Sequence, residues 1–162
     1  MTSFEKVVAF NKTMGRESGL EMNDKDYWNA LENQWELIRE EFEEARVELS
    51  DKEPVALAKE LCDLLVVTYG QLYMMGVDAD KMMSELCDNN DTKFVNTVHL
   101  ALTVAHYDEM GISVYSECVG ADKWAVKLVE DCEKGPKGKL MKPLGYKKFE
   151  LECLNDFALN EV

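Results

Sequence analysis

Two groups of carboxylates have a spacing that could do chemistry. One is the run Glu40-Glu41-Phe42-Glu43-Glu44. The other is Glu60 and Asp63, three residues apart within Lys59-Glu60-Leu61-Cys62-Asp63-Leu64-Leu65-Val66-Val67. The first run alone could be a solvated helix face, and the second alone an acid-tolerant first helical turn. Together they read differently. An acid within an apolar stretch is costly unless it is paired, hydrogen-bonded or bound to a metal. ExxE and ExxD on successive, facing helices would form an all-oxygen site, which suits Mg2+ or Mn2+. Four like charges brought together repel, and cations relieve that repulsion. Glu40, Glu41 and Glu44 share one region of their helix, and with Glu60 and Asp63 they are the acids that could converge on a metal. Glu43 falls on the far side of its helix and reads as a surface acid.

The elements that must position these acids follow from periodicity. Phe4, Val7, Val8 and Phe10 predict a helix over 3–14, stopped by Gly15. Asn23 or Asp24 can cap a second helix running to about Leu49, with Leu31, Trp35, Ile38, Phe42, Ala45 and Leu49 along one face. Residues 50–54 read as a loop, with Pro54 suited to the first turn of a third helix reaching about Met75. Leu57, Leu61, Leu64, Leu65, Val67, Leu72 and Met75 surround most of that helix, so it is expected to be central and buried. Gly76 ends it, and Asp78 caps a fourth helix to about Asn89. If the second and third helices pack antiparallel across their short link, the acidic pairs converge. Beyond Phe94 a helix is expected over 97–110, then strands at 112–115 and 124–129 around the turn Gly120-Ala121-Asp122. Residues 135–139 read as a loop.

Composition excludes several function classes. The 162 residues suit one domain with a real core. A formal net charge of −14 disfavours gripping a nucleic-acid polymer, whose phosphates need clustered Lys and Arg. A small polyphosphate remains open if divalent cations neutralise the acids. The cysteines, Cys62, Cys87, Cys118, Cys132 and Cys153, are dispersed and include no CxxC, which points to reduced thiols and a cytoplasmic location. No signal peptide or membrane-spanning run is legible, so no membrane partner is expected. There is no GxxxxGK[ST], which excludes a P-loop enzyme. His99 and His106 lie outside HExxH and ExxH, against a zinc peptidase or a di-iron bundle.

Other residues are open to two readings. Trp35 sits on the apolar stripe and is assigned to the core, whereas Trp28, near the start of its helix, is a candidate for stacking on a base. Lys134, Lys137, Lys139, Lys142, Lys147 and Lys148 form a local basic patch. It either balances charge as a solvated loop or meets phosphates or a neighbouring subunit.

EExxE, a fifteen-residue gap, then ExxD resembles the MazG-like, all-α nucleoside triphosphate pyrophosphatase superfamily. Asn90-Asp91-Thr92-Lys93-Phe94 is similar to its NxxKF segment. The stretch 138–146 looks like the GK-x-x-KP-x-GY ending of a phosphoribosyl-ATP pyrophosphohydrolase-like subgroup found in phages and bacteria. The resemblance implies that Glu41, Glu44, Glu60 and Asp63 bind magnesium and that Glu40 orients or deprotonates the attacking water. It places Asn90 and Lys93 on the phosphates, and Phe10 and Asn11 of the first helix at the base; a core role for Phe10 stays open. It also implies a homodimer or homotetramer with sites near the subunit interface. Residues 95–137 depart from many relatives, which have a short link there, and read as an oligomer contact or a lid.

The expected fold is mainly α, an antiparallel helical bundle of the all-α NTP pyrophosphatase type with a small C-terminal helix and β-hairpin. Residues 1–95 would form the helical core, and 96–162 an α+β extension packed on the same domain. The expected activity is Mg-dependent hydrolysis of a (deoxy)nucleoside triphosphate to monophosphate and pyrophosphate, in the host cytoplasm if the chain is phage-encoded. The alternatives are a phosphoribosyl-ATP pyrophosphatase and a non-catalytic helical protein that senses nucleotides or binds partners.

Overall fold

The computed structural model describes residues 1–16, 18, 24–150 and 158. The fold is mainly helical with one small antiparallel sheet, as expected. The chain divides into two compact units, residues 1–83, which Ala158 joins by a bridge to Val77, and residues 84–150.

The first unit contains α1 (Ser3–Thr13), α2 (Asp24–Asp51), α3 (Pro54–Met74) and the start of α4 (Ala79–Asp91). Thr2 and Glu5 form a reciprocal capping box at α1, with Thr2 Oγ1 accepting from Glu5 N at 3.1 Å. Asn23, the other cap expected for α2, lies outside the described residues. α2 continues through Asp51, past the expected Leu49. Lys52 then adopts a left-handed φ of 61°, and the N–H of Glu53 closes back on Glu48 O at 3.1 Å. Only Lys52 and Glu53 separate the two long helices, so they must pack antiparallel. Gly76, at φ 74°, ends α3 where a side chain would be strained, and Asp78 Oδ1 accepts from Lys81 N to cap α4. Phe4, Leu31, Tyr73, Met74 and Ala79 form the core, with Phe4 edge-on to Tyr69.

Two expectations are corrected here. α3 is not buried all round: it turns Glu60, Gly70, Tyr73 and Met74 inward, while Val55, Leu61, Leu65 and Val66 are exposed. Nor is Trp35 core; it is 59% exposed, and Phe42 and Leu49 along the same side of α2 are exposed as well. The face of α2 that is buried belongs to Leu31, Gln34 and Ala45. Phe10 is also exposed, which removes a core role for it.

The second unit holds the remainder of α4, then α5 (Thr97–Glu109), β1 (Val114–Gly120) and β2 (Lys123–Leu128). Asn96 caps α5, its Oδ1 accepting from His99 N at 3.0 Å. β1 starts two residues later than expected and runs to the turn, because Ser116, Glu117 and Cys118 pair with Val126, Ala125 and Trp124. Asp122 takes the left-handed turn position (φ 50°). α5 packs on both strands over a core of Val95, Tyr107, Val126, Leu128 and Met141. Among the described residues no helix is long and apolar enough to cross a membrane.

Candidate metal centre

The antiparallel register of α2 and α3 decides which acids meet. Gln34 Nε2 donates to Val67 O at 2.9 Å. Two helical turns further along α2, Glu41 comes level with Glu60 and Asp63, which lie correspondingly nearer the start of α3. Glu41, Glu60 and Asp63 each offer a carboxylate oxygen, and these oxygens lie within 4.8 Å of one another. An ion with oxygen ligands at about 2.0–2.1 Å spans roughly 4.2 Å between opposite oxygens. A small rotation of the half-buried Glu41 and Asp63 side chains toward the buried Glu60 closes that difference, so the donor set fits a hard divalent cation.

Burial and like charge shape the cluster. Glu60 is 8% exposed. Desolvation, then the charges of Glu44, Asp63 and Glu60, push the Glu41 carboxyl above its ordinary value, with Lys59 opposing. Lys59 Nζ lies 2.7 Å from Asp63 Oδ2 and 3.0 Å from Glu60 Oε1. Those two hydrogen bonds hold the ammonium well above the usual lysine range. The Lys59 ammonium thus already neutralises part of the charge that a metal ion would meet.

The other candidate residues fall in different places. Glu44 is exposed and does not join the three converging acids, although its charge reaches Glu41. Glu40 is exposed in a shallow groove with Glu36, Arg39 and Glu43, and Glu43 itself pairs with Arg46. Phe10 and Trp28 are exposed; Trp28 lines a groove of about 860 Å3 with Tyr27, Trp35, Gln71 and Met75. Asn11 is buried, its Nδ2 donating to Val7 O at 2.8 Å and its Oδ1 accepting from Arg16. Asn90 and Lys93, in the second unit, are hydrogen-bonded to each other. Cys62, Cys87, Cys118 and Cys132 are free thiols, and Cys153 lies outside the described residues.

Sequence reasoning missed Lys59, Arg16 and Gln34. Lys59 stands four residues before Asp63, a helical ion-pair spacing that could have revealed it. Arg16 Nη1 donates to Gln34 Oε1 at 2.9 Å and to Asn11 Oδ1 at 3.2 Å, and nothing in the local sequence signals that contact.

A model of the phosphoribosyl-ATP pyrophosphohydrolase family matches residues 7–90, just over half of the chain. The chain belongs to this family. Phosphoribosyl-ATP pyrophosphohydrolases lie within the MazG-like all-α NTP pyrophosphatase superfamily, so the resemblance holds at both levels. Membership makes the chain a nucleotide pyrophosphohydrolase, a class that is typically metal-dependent. The matched segment includes all three converging acids and stops at Asn90, before Lys93 and the hairpin unit. No curated protein and no solved structure matches the chain.

Proposed function

We propose that the chain hydrolyses a nucleoside triphosphate, a deoxynucleotide in the first instance, to its monophosphate and pyrophosphate. The observation that carries this reading is the convergence of Glu41, Glu60 and Asp63 at the α2–α3 seam. These three acids would hold Mg2+, or Mn2+, with Glu44 completing the set from one turn further along α2. Bound there, the cation supplies positive charge to the polyphosphate and acidifies a water. The protein's own part is positional. Glu60, largely buried, fixes one oxygen ligand; Glu40 accepts the proton of the attacking water; Asn90 and Lys93 bind the phosphates. The exposed rings of Trp28 and Phe10 take the base in this reading. Asn11 contributes by holding Arg16.

Phosphoribosyl-ATP is the second substrate reading, favoured by the name of the matching family. The chemistry is the same and only the leaving nucleotide differs.

The proposed assembly is a homodimer, or a dimer of such dimers. Trp28, Trp35, Phe42 and Leu49 are each exposed and seven residues apart, a heptad stripe along the length of α2. Leu61 and Leu65 add apolar surface on α3. Long contiguous apolar surface on a monomer marks a partner site. Gln71 Oε1, which borders the Trp28 groove, is buried without a hydrogen-bond partner among the described residues and would accept from an occupant.

The test is pyrophosphate release from a panel of deoxynucleoside triphosphates, nucleoside triphosphates and phosphoribosyl-ATP in magnesium. Wild type should release pyrophosphate from at least one of them, and Glu60→Gln from none while remaining folded. A wild-type chain inactive on the whole panel would leave a non-catalytic nucleotide-binding protein as the reading.

A further inference from the structure

Two stretches that are distant in sequence line one cleft within residues 84–150. Phe94, Val95 and His99 face it from one side and Pro143, Leu144 and Tyr146 from the other. Its volume of about 540 Å3 falls within the roughly 300–1,000 Å3 of small-molecule sites. The walls are tied together. Tyr146 Oη donates to Asn89 Oδ1 at 2.7 Å, and Asn89 Nδ2 donates to Lys147 O at 3.1 Å. Val95 pairs by backbone with Trp124, and Tyr107 Oη donates to Lys142 O. The cleft is therefore preformed.

The placement of charge is selective. Residues 134–148 carry six lysines and no acid in a chain of net charge −14. Elsewhere in the unit lysines face carboxylates: Lys123 meets Asp91 and Lys127 meets Glu117, each at 2.6 Å. At the cleft they do not. Lys142 lies over the Tyr146 ring at 5.1 Å, Lys147 lines the cavity, and neither forms an ion pair among the described residues. His99 engages Asn96 Oδ1 through Nδ1 at 2.8 Å, which leaves its other ring nitrogen. Cations without counter-ions among the described residues, beside an apolar wall, suit a ligand that is both anionic and apolar-faced.

We propose that this cleft binds a nucleotide without the help of a metal. Its base lies on the wall of Phe94, Pro143, Leu144 and Tyr146, and its phosphates lie toward Lys142, Lys147 and His99. The choice of a nucleotide over other aromatic anions rests on the function proposed above; the binding itself does not depend on the carboxylate cluster.

The experiment is calorimetric titration of the full chain with ATP, adenosine and pyrophosphate in EDTA, where phosphates have no metal to bridge them to the acids. ATP should bind, with adenosine and pyrophosphate each weaker by about tenfold or more, because each carries only half of the recognised chemistry. The charge reversals Lys142→Glu and Lys147→Glu together should weaken ATP by about tenfold or more. So should Leu144→Glu, which alters an exposed wall residue. Glu60→Gln, which tests the catalytic reading, should leave this affinity unchanged, so the two ideas fail separately. The proposal is overturned if ATP does not bind in EDTA, if the charge reversals leave its affinity unchanged, or if pyrophosphate binds as tightly as ATP.

Discussion

Lys59 Nζ sits 2.7 Å from Asp63 Oδ2, one helical turn away along α3, and the same ammonium reaches both oxygens of Glu60. Three carboxylates within 4.8 Å would repel one another without a counter-charge. Lys59 supplies that charge from the rim of the cluster, on a side chain that is itself largely exposed. A flexible, strongly hydrated ammonium is a cation that a multivalent ion can displace.

Lys59→Met should therefore loosen the metal-free protein and tighten its metal binding. In EDTA its melting temperature should fall below wild type. Its Mn2+ affinity, measured by calorimetry, should rise severalfold because no resident ammonium competes for Glu60 and Asp63. An unchanged or weaker Mn2+ affinity would show that the lysine is only a surface partner.

Glu41 gives a pH dependence whose sign can be worked out. Its folded pKa lies above the ordinary 4.5, chiefly through desolvation and then through Glu44, Asp63 and Glu60. Below 4.5 the carboxyl is protonated in both folded and unfolded chains, and no penalty exists. As pH rises through the folded pKa, the folded chain must ionise a group it holds unfavourably, and stability is lost. Lys59 stays charged throughout this range, since its own pKa is raised. Glu41→Gln should thus raise the melting temperature in EDTA at neutral pH, with the gain vanishing near pH 4, and should weaken Mn2+ binding. Thermal scans of both proteins from pH 4 to pH 8, with and without Mn2+, decide this.

The acids and their helices were legible because the signals are local. ExxE and ExxD spacings, a two-residue link opened by Pro54 and the apolar periodicity together define one antiparallel hairpin. The side of α2 that carries Trp35 was not. Periodicity reports that an apolar stripe must be covered but not by which chain, so a stripe for a second copy looks the same as one for the core. The same ambiguity hid the exposure of Leu61 and Leu65. Glu41 and Glu44 were both expected at the metal, and the helix register marked by Gln34 and Val67 brings only Glu41 into the converging set. The pairing of Asn89 with Tyr146 joins positions too far apart for any spacing rule.

The stripe on α2 predicts an oligomer that a single charge can break. Trp35→Glu alters a ring that is 59% exposed, so the isolated chain loses little packing when it changes. In a heptad seam the same charge would be buried against a partner, at a cost of several kcal/mol. Sedimentation velocity should show wild type as a dimer or tetramer and Trp35→Glu as a monomer with unchanged helical circular dichroism. A monomeric wild type would remove the assembly proposed here.

Gly70 predicts a stability effect without any metal. It is buried on α3, and a Cβ built there would stand 2.9 Å from Gln34 Nε2 and 3.6 Å from Asn11 Nδ2. Gln34 has little room to yield, because it is 3% exposed and bonded at both ends, to Val67 O and to the Arg16 guanidinium. Moving it away would break the contact that sets the α2–α3 register and leave the Gln34 and Arg16 donors unsatisfied. Alanine would otherwise favour the helix by roughly 1 kcal/mol over glycine. Overpacking and a lost buried hydrogen bond each cost about 1–3 kcal/mol, so the clash wins. Gly70→Ala should lower unfolding free energy by about 1–3 kcal/mol in urea. It should also weaken Mn2+ binding, since Glu41 is carried on the same helix face as Gln34. The double variant Gly70→Ala with Gln34→Ala should recover part of the stability by removing the obstructing amide, an interaction that a double-mutant cycle reads directly. A neutral or stabilising Gly70→Ala would mean that Gln34 is free to move and does not fix the register.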